Sequence, residues 1–296
     1  MTLASLTAIA VSCLVFSPAW EECTRAAVVE SQVAGVQSQR SLRLTGEALD
    51  VVLTAQAALV WDMETGDVLY EKNADLRRPV ASITKLASLI VLRDRLPLEA
   101  TVAIPPEAAR AQRQGAHIKL PIGQHARVRD LIAASLIPSA NDAMVSLAVA
   151  ASGSETLFVE EANRALPNLG LVNTKLSNST GLSGGDQYST ARDVRLMLTR
   201  LMADPEVGQY LSAKSGVLIT QEGVRRSYKT TNELLGTYVP VLAAKTGYTR
   251  EAGENLALVT HTAAGHRIGA VVLGSAQRFQ DMKGLVGFVE RNYSLE

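Results

Sequence analysis

Strand-type sequence lies at both ends of this chain, and helix-type sequence fills the middle. Near the front, "AALVWD" (57–62), "METG" (63–66) and "DVLYEK" (67–72) read as a strand, a glycine-containing turn and a strand. Near the back, "ENLALVTHT" (254–262), "AAG" and "HRIGAVVLGS" (266–275) read as a second hairpin. Between them come a helix from about Ser82 to Arg95 and the helical stretches "VRDLIAASLI", "NDAMVSLAVAAS", "SETLFVEEANRALPNLG" and "STARDVRLMLTRLMAD". The last of these repeats apolar residues at helical spacing: Val194, Met197, Leu198 and Leu201. Ser154 reads as an N-cap. Strands and helices do not alternate, so a doubly wound parallel sheet is excluded. The order predicts an α+β fold, an antiparallel sheet built from both chain ends with a helical subdomain inserted between. "HIKLPIGQHARV" (117–128) predicts a short hairpin turning at Pro121 and Gly123.

A length of 296 residues, 47% of them hydrophobic, suits a sizeable core in one large domain or two small ones. Zero net charge and 4% aromatics argue against nucleic acid as a partner. Leu3–Trp20 has no charged side chain and Ser17-Pro18-Ala19 offers small residues for cleavage, so residues 1–19 read as a secretory signal. A retained membrane anchor is the alternative for that run. Residues 20–52 read as a linker or lead-in and 53–296 as the catalytic body, with no additional C-terminal domain. The two cysteines, Cys13 and Cys23, both precede that body, which excludes a disulfide framework, a thiolate nucleophile and a cysteine zinc site within it. The four histidines (117, 125, 261 and 266) have no metal-ligand spacing, so no metal or cofactor is expected.

Three short patterns carry possible chemistry. Ser82-Ile83-Thr84-Lys85 puts a hydroxyl and an amine one helical turn apart, about 5–6 Å at Cβ. A serine is a weak nucleophile without a base, and an amine serves once its ammonium form is destabilised. The same four residues also suit an ordinary helix start, and S-x-x-K arises by chance about once per 300 residues. Ser139-Ala140-Asn141 could relay a proton and bind a substrate amide, or simply cap a helix. Lys245-Thr246-Gly247 offers a cation and a hydroxyl to a carboxylate, or ends an exposed strand. Two decoys compete. Lys214-Ser215-Gly216 matches the third pattern in letters only. "GLSGG" (181–185) fits a nucleophile elbow but lacks the buried strand before it and the helix directly after it.

Taken in order, S-x-x-K, S-x-N and K-T-G form the set of penicillin-binding proteins and class A β-lactamases. Over about residues 55–290 the chain resembles the D-alanyl-D-alanine carboxypeptidase family, the low-molecular-mass penicillin-binding proteins. The likeness extends through "GDVLYEKNADLRRPVASITK", "SLIPSANDAMVSLA", "LGLVNTKLSNSTGLSGGDQYSTARDV", "TTNELL" and "AAKTGYTREAGENLALV". The resemblance implies a five-stranded antiparallel sheet of the β-lactamase/DD-peptidase type. It implies Ser82 as acyl-enzyme nucleophile, Lys85 as general base and Ser139 as proton relay. Asn141 would fix Lys85 and the substrate amide, and Lys245 and Thr246 would bind the terminal carboxylate. The backbone N–H groups of Ser82 and of Tyr248, after Gly247, would form the oxyanion hole.

The implied activity is that of an exported serine carboxypeptidase, in the periplasm or cell-wall space, acting on peptidoglycan stem peptides. β-Lactams would be its covalent inhibitors. The alternative within the same chemistry is an endopeptidase that cuts cross-links. A β-lactamase would need a glutamate to activate the deacylating water, and none is identifiable. A non-catalytic penicillin-binding scaffold would not need all three motifs intact. The terminal segment sets Phe279, Met282, Leu285, Val286 and Val289 on one face beside Arg278, Asp281, Lys283, Glu290 and Arg291. That mixed charge predicts packing on the sheet rather than on lipid, hence no stable membrane helix after signal cleavage.

Overall fold

A computed structural model describes residues 41–46, 50–237 and 239–295. The segment read as a secretory signal lies outside the described residues, as does most of the lead-in. The strands are β1 (Leu42–Leu44), β2 (Ala57–Asp62), β3 (Val68–Lys72), β4 (Thr101–Ala103) and β5 (His125–Arg127). After the helical middle come β6 (Ser215–Ile219), β7 (Arg225–Lys229), β8 (Val241–Thr249), β9 (Gly253–His261), β10 (Arg267–Ser275) and β11 (Tyr293–Leu295). The helices are α1 (Thr84–Arg93), α2 (Ala108–Ala111), α3 (Val128–Leu136), α4 (Asn141–Ser152) and α5 (Glu155–Ala165). α6 (Ala191–Ala203), α7 (Pro205–Gly208) and α8 (Arg278–Asn292) follow.

The main sheet has five strands in the order β3-β2-β10-β9-β8, every neighbour antiparallel. It joins the two ends of the chain, as the element order predicts. "AALVWD" is buried along its whole length, because both faces of β2 are covered. Side chains alternate between those faces. Ala57, Leu59 and Trp61 enter the core shared with α1 and α6, while Ala58 and Val60 enter the core under α8. β9 divides in the same way, Ala257 and Val259 to the first side, Leu256 and Leu258 to the second. Burying each large side chain contributes about 1.5–3 kcal/mol, so truncating a residue such as Leu59 to alanine costs about 2–5 kcal/mol.

The helical faces follow their periodicity. Val194, Met197, Leu198 and Leu201 of α6 are buried against the sheet. On the opposite side Met282, Leu285, Val286 and Val289 of α8 are buried, and Phe279 packs at the edge. Asp281 departs from the mixed-charge reading of that helix. It is buried, and its carboxylate accepts from Thr54 N and Oγ1, Ala55 N and Ser275 Oγ. The acid therefore ties α8 to the approach to β2 instead of facing solvent. Ser154 caps α5 by accepting from Leu157 N at 3.2 Å, and Thr190 caps α6 by accepting from Asp193 N at 3.1 Å.

The hairpin expected in 117–128 does not form. β5 pairs with β4 instead, Val102 opposite Ala126. The cause lies in the segment before it. Ile118 N and Leu120 N donate to the buried carboxylate of Asp142 at 3.3 and 2.9 Å, so they have no ladder to join. The β6–β7 hairpin absorbs Lys214-Ser215-Gly216 at its start. Within the lead-in, β1 pairs with β11 at the far end of the described chain.

Candidate active site

The nucleophile candidate sits where the sheet meets the helical subdomain. Ala81–Ile83 forms a 3-10 turn that runs directly into α1, and Ala81 takes a left-handed φ of 49°. Ser82 does not cap either helix; its side chain is free for other work. One turn later, Lys85 is completely buried in the first turn of α1. Its Nζ lies 2.7 Å from Ser82 Oγ, 2.8 Å from Asn141 Oδ1, 3.1 Å from the Thr180 carbonyl and 3.4 Å from Ser139 Oγ.

Ser139-Ala140-Asn141 is not a helix cap. Ala140 occupies that position with no side-chain bond, and Ser139 is held at φ 64° just before it. The strained backbone turns both side chains inward. Ser139 Oγ accepts from Lys245 Nζ at 2.7 Å. Asn141 Nδ2 donates to the Gln114 carbonyl at 2.9 Å, which leaves its Oδ1 facing Lys85. Lys245-Thr246-Gly247 is buried near the C-terminal end of β8 and is not an exposed strand end. Lys245 Nζ also donates to the Thr246 carbonyl at 2.9 Å.

Gly247 is required by contact. A Cβ there would lie 2.6 Å from the Val80 carbonyl and 3.1 Å from the backbone nitrogens of Ser82 and Ile83. β8 is thus pressed directly against the turn carrying Ser82, and Tyr248, the next residue, is 64% exposed at the mouth. From the other side Gly181, at φ 79°, brings "TGLSGG" onto Ala81, where a Cβ would meet its carbonyl at 1.9 Å. That stretch is a wall of the cleft. A cleft of about 140 Å³ joins Ser82, Ser139, Asn141, Thr246, Gly247 and Tyr248.

Electrostatics separates the two lysines from ordinary ones. Burial, and then the neighbouring charge of Lys245, hold Lys85 well below the usual lysine range; Asp142 opposes the shift. Burial and Arg278 lower Lys245 to about 7. A neutral Lys85 has two N–H donors and one lone pair. Its donors match Asn141 Oδ1 and the Thr180 carbonyl, and its lone pair then accepts the Ser82 O–H. The arrangement can remove a proton from that hydroxyl.

Sequence reasoning missed three contributors to this cleft. Thr180 takes part only through its carbonyl, which no side-chain pattern reports. Thr231, in "TTNELL", lines the cleft and its hydroxyl meets that of Thr246. In the sequence, Arg278 is one charge on a mixed helix face. It lines the cleft instead, its Nη1 is 3.5 Å from the Gly247 carbonyl, and its buried Nε has no hydrogen-bond partner. Its position just after β10 was the available signal. Among the described residues, no group of three His, Cys, Asp or Glu side chains is placed to hold a metal ion.

The family model described as D-alanyl-D-alanine carboxypeptidase matches residues 45–277. The D-alanyl-D-alanine carboxypeptidase DacF of Bacillus subtilis is 31% identical over 201 residues, 67% of this chain and 52% of the relative. The D-alanyl-D-alanine endopeptidase of Pseudomonas aeruginosa is 34% identical over 218 residues, 73% of this chain and 70% of the relative. The chain therefore spans about half the length of the Bacillus relative and more of the Pseudomonas one. The crystal structure of the Streptomyces K15 DD-transpeptidase matches with a TM-score of 0.74 at 27% identity, covering 81% of this chain and 98% of that one. A D-alanyl-D-alanine carboxypeptidase from Mycobacterium tuberculosis H37Rv matches with a TM-score of 0.75 at 24% identity, covering 83% and 94%, and speaks to the fold alone.

Proposed function

Since the chain belongs to the D-alanyl-D-alanine carboxypeptidase family, we propose that it is a serine carboxypeptidase releasing the terminal D-alanine of peptidoglycan stem peptides. The observation that carries this reading is the environment of Lys85: a fully buried amine 2.7 Å from Ser82 Oγ, with acceptors for both of its N–H groups.

Ser82 Oγ attacks the carbonyl of the penultimate D-alanine while Lys85 takes its proton. The developing oxyanion is held by the N–H groups of Ser82 and Tyr248, on the two backbones that Gly247 brings together. Lys245, Thr246, Thr231 and Arg278 supply cations and hydroxyls for the terminal carboxylate. Ser139, bonded to Lys245 and within reach of Lys85, passes a proton to the departing amine. Breaking the peptide bond leaves the peptide as an ester on Ser82. Water then attacks that ester and regenerates the serine. β-Lactams enter by the same first step and remain as the ester, which makes them covalent inhibitors. The substrate lies outside the cytoplasm, so the enzyme is an exported one.

An endopeptidase is the second reading, supported by the 34% identity to the Pseudomonas endopeptidase. It uses the same residues with a larger leaving group. The test is muropeptide analysis with labelled penicillin. Release of free D-alanine from monomeric pentapeptide, and labelling of Ser82 that Ser82→Ala abolishes, support the carboxypeptidase. Loss of cross-linked dimers without free D-alanine would move the assignment to the endopeptidase.

A further inference from the structure

The chain has no net charge, yet its cations are unevenly placed. Residues 110–127 carry four Lys and Arg and no acid, and residues 212–231 carry four and one acid. The fold joins the two stretches: Arg226 Nε donates to the Lys119 carbonyl at 2.9 Å, and Gln221 N to the His125 carbonyl at 2.8 Å. The single acid, Glu222, is taken by His125 at 2.8 Å. Register sets Ser215 opposite Lys229, Val217 opposite Ser227 and Ile219 opposite Arg225, all on the outer face of the β6–β7 hairpin. That face is exposed throughout, Val217 by 38% and Ile219 by 52%. Among the described residues, Arg113, Lys119, Arg225 and Lys229 form no ion pair. Both stretches reach the cleft. Gly115 and Ala116 line it from the first, and Thr231, two residues beyond Lys229, from the second.

We propose that the exposed cations of these two stretches, which both border the cleft, dock the carboxylate-bearing strand of cell-wall polymer that continues outward from the peptide in the cleft. The proposal rests on the peptidoglycan reading above. Unpaired surface cations leading to a cleft raise the local concentration of a polyanion, and the effect falls with ionic strength. The apolar pair Val217 and Ile219 adds, on the outer face of the hairpin, area for sugar and peptide backbone to rest on.

The test is cosedimentation of the full chain with isolated cross-linked peptidoglycan at low and high salt. The triple variant Arg113→Glu, Arg225→Glu, Lys229→Glu is compared with the wild type, and the milder Arg113→Gln, Arg225→Gln, Lys229→Gln guards against misfolding. The affinity of the charge-reversed protein falls roughly tenfold and its salt dependence shrinks. Penicillin labelling of Ser82 and hydrolysis of a short, otherwise uncharged peptide ending in D-Ala-D-Ala stay at the wild-type level. Unchanged cosedimentation overturns the proposal. In a parallel sedimentation with phosphatidylglycerol vesicles, a loss confined to the vesicles also overturns it, because the cations would then be a membrane contact. Wild type that sediments but neither labels nor hydrolyses would sink the enzymatic reading, while the sedimentation comparison still decides the docking.

Discussion

Ser139 accepts a 2.7 Å hydrogen bond from Lys245, a residue 106 positions later in the chain. The same oxygen lies 3.4 Å from Lys85 Nζ. One hydroxyl therefore spans two buried amines, and burial weakens the protonated form of both. Two ammonium groups facing one small hydroxyl in a dry site repel each other, so the pair favours one neutral and one charged lysine. Neutral Lys85 suits a base, and charged Lys245 suits a carboxylate.

This pair predicts a bell-shaped pH profile for the hydrolysis of a D-Ala-D-Ala peptide. The rising limb follows loss of the proton from Lys85, at a pH well below that of an ordinary lysine. The falling limb follows Lys245 near 7, as the carboxylate loses its cation. Stability moves differently. Above about 7 the folded state has released a proton that unfolded lysine keeps until about 10.4, so stability rises with pH through that window. Chemical denaturation across it checks the sign. In Lys245→Met the rise flattens.

Lys85→Arg keeps the positive charge and removes the base, because a guanidinium does not deprotonate in proteins. Acylation by penicillin falls by about 10²–10⁴, the usual contribution of a positioned general base. Stopped-flow or quenched labelling of Ser82 measures it. Near-normal labelling in this variant would remove Lys85 from the mechanism.

Arg278 is tied to the same electrostatics. Its charge lowers the Lys245 pKa, and it lines the cleft with a buried Nε that has no partner. Arg278→Leu raises KM for the peptide by about tenfold, the equivalent of one charge-assisted hydrogen bond of about 1.4 kcal/mol. It also moves the alkaline limb upward, since a like charge beside Lys245 is gone. A purely structural role for Arg278 leaves that limb in place.

Much of this site was legible in the sequence, for a physical reason. Ser82, Lys85, Ser139, Asn141, Lys245 and Thr246 meet at the cleft through their side chains, and their spacing survives in the letters. The parts that were hidden reach the cleft through the backbone or through tertiary placement. Thr180 contributes a carbonyl. Arg278 looks like any charge on an amphipathic helix until the end of β10 aims it at the cleft. The fold divides in the same way. Both end hairpins and the α6 and α8 faces follow their periodicity, whereas the stretch 117–128 reads as a hairpin because no local signal reports that Asp142 captures the N–H groups of Ile118 and Leu120.

Gly247→Ala tests the backbone contact. The new Cβ would press on the Val80 carbonyl at 2.6 Å and on the Ser82 nitrogen at 3.1 Å, both backbone atoms without rotamers to relieve them. β8 and the Ser82 turn must separate, which opens the proposed oxyanion hole. Overpacking of this kind costs about 1–3 kcal/mol of stability. Acylation falls by about 10², since a small misplacement of reacting groups is enough. A variant that loses stability but labels at the normal rate would place the oxyanion donors elsewhere.

Arg78 holds the same junction from behind. It is nearly buried, its backbone pairs with Ser189, and its guanidinium donates to the Ala252 carbonyl at 2.7 Å and to Gln56 Oε1. Ala252 lies in the turn between β8 and β9, while Arg78 stands four residues before Ser82. One side chain thus links the segment that leads to Ser82 with the strand bearing Gly247 and Tyr248. Arg78→Met leaves the Ala252 carbonyl without this donor and costs about 1–3 kcal/mol. Because the link is to the turn that carries Ser82, kcat falls more than KM changes, and Arg78→Lys restores part of both losses by returning one donor. Steady-state kinetics beside thermal melts checks this. A Tm loss with unchanged kcat would leave Arg78 a purely structural residue.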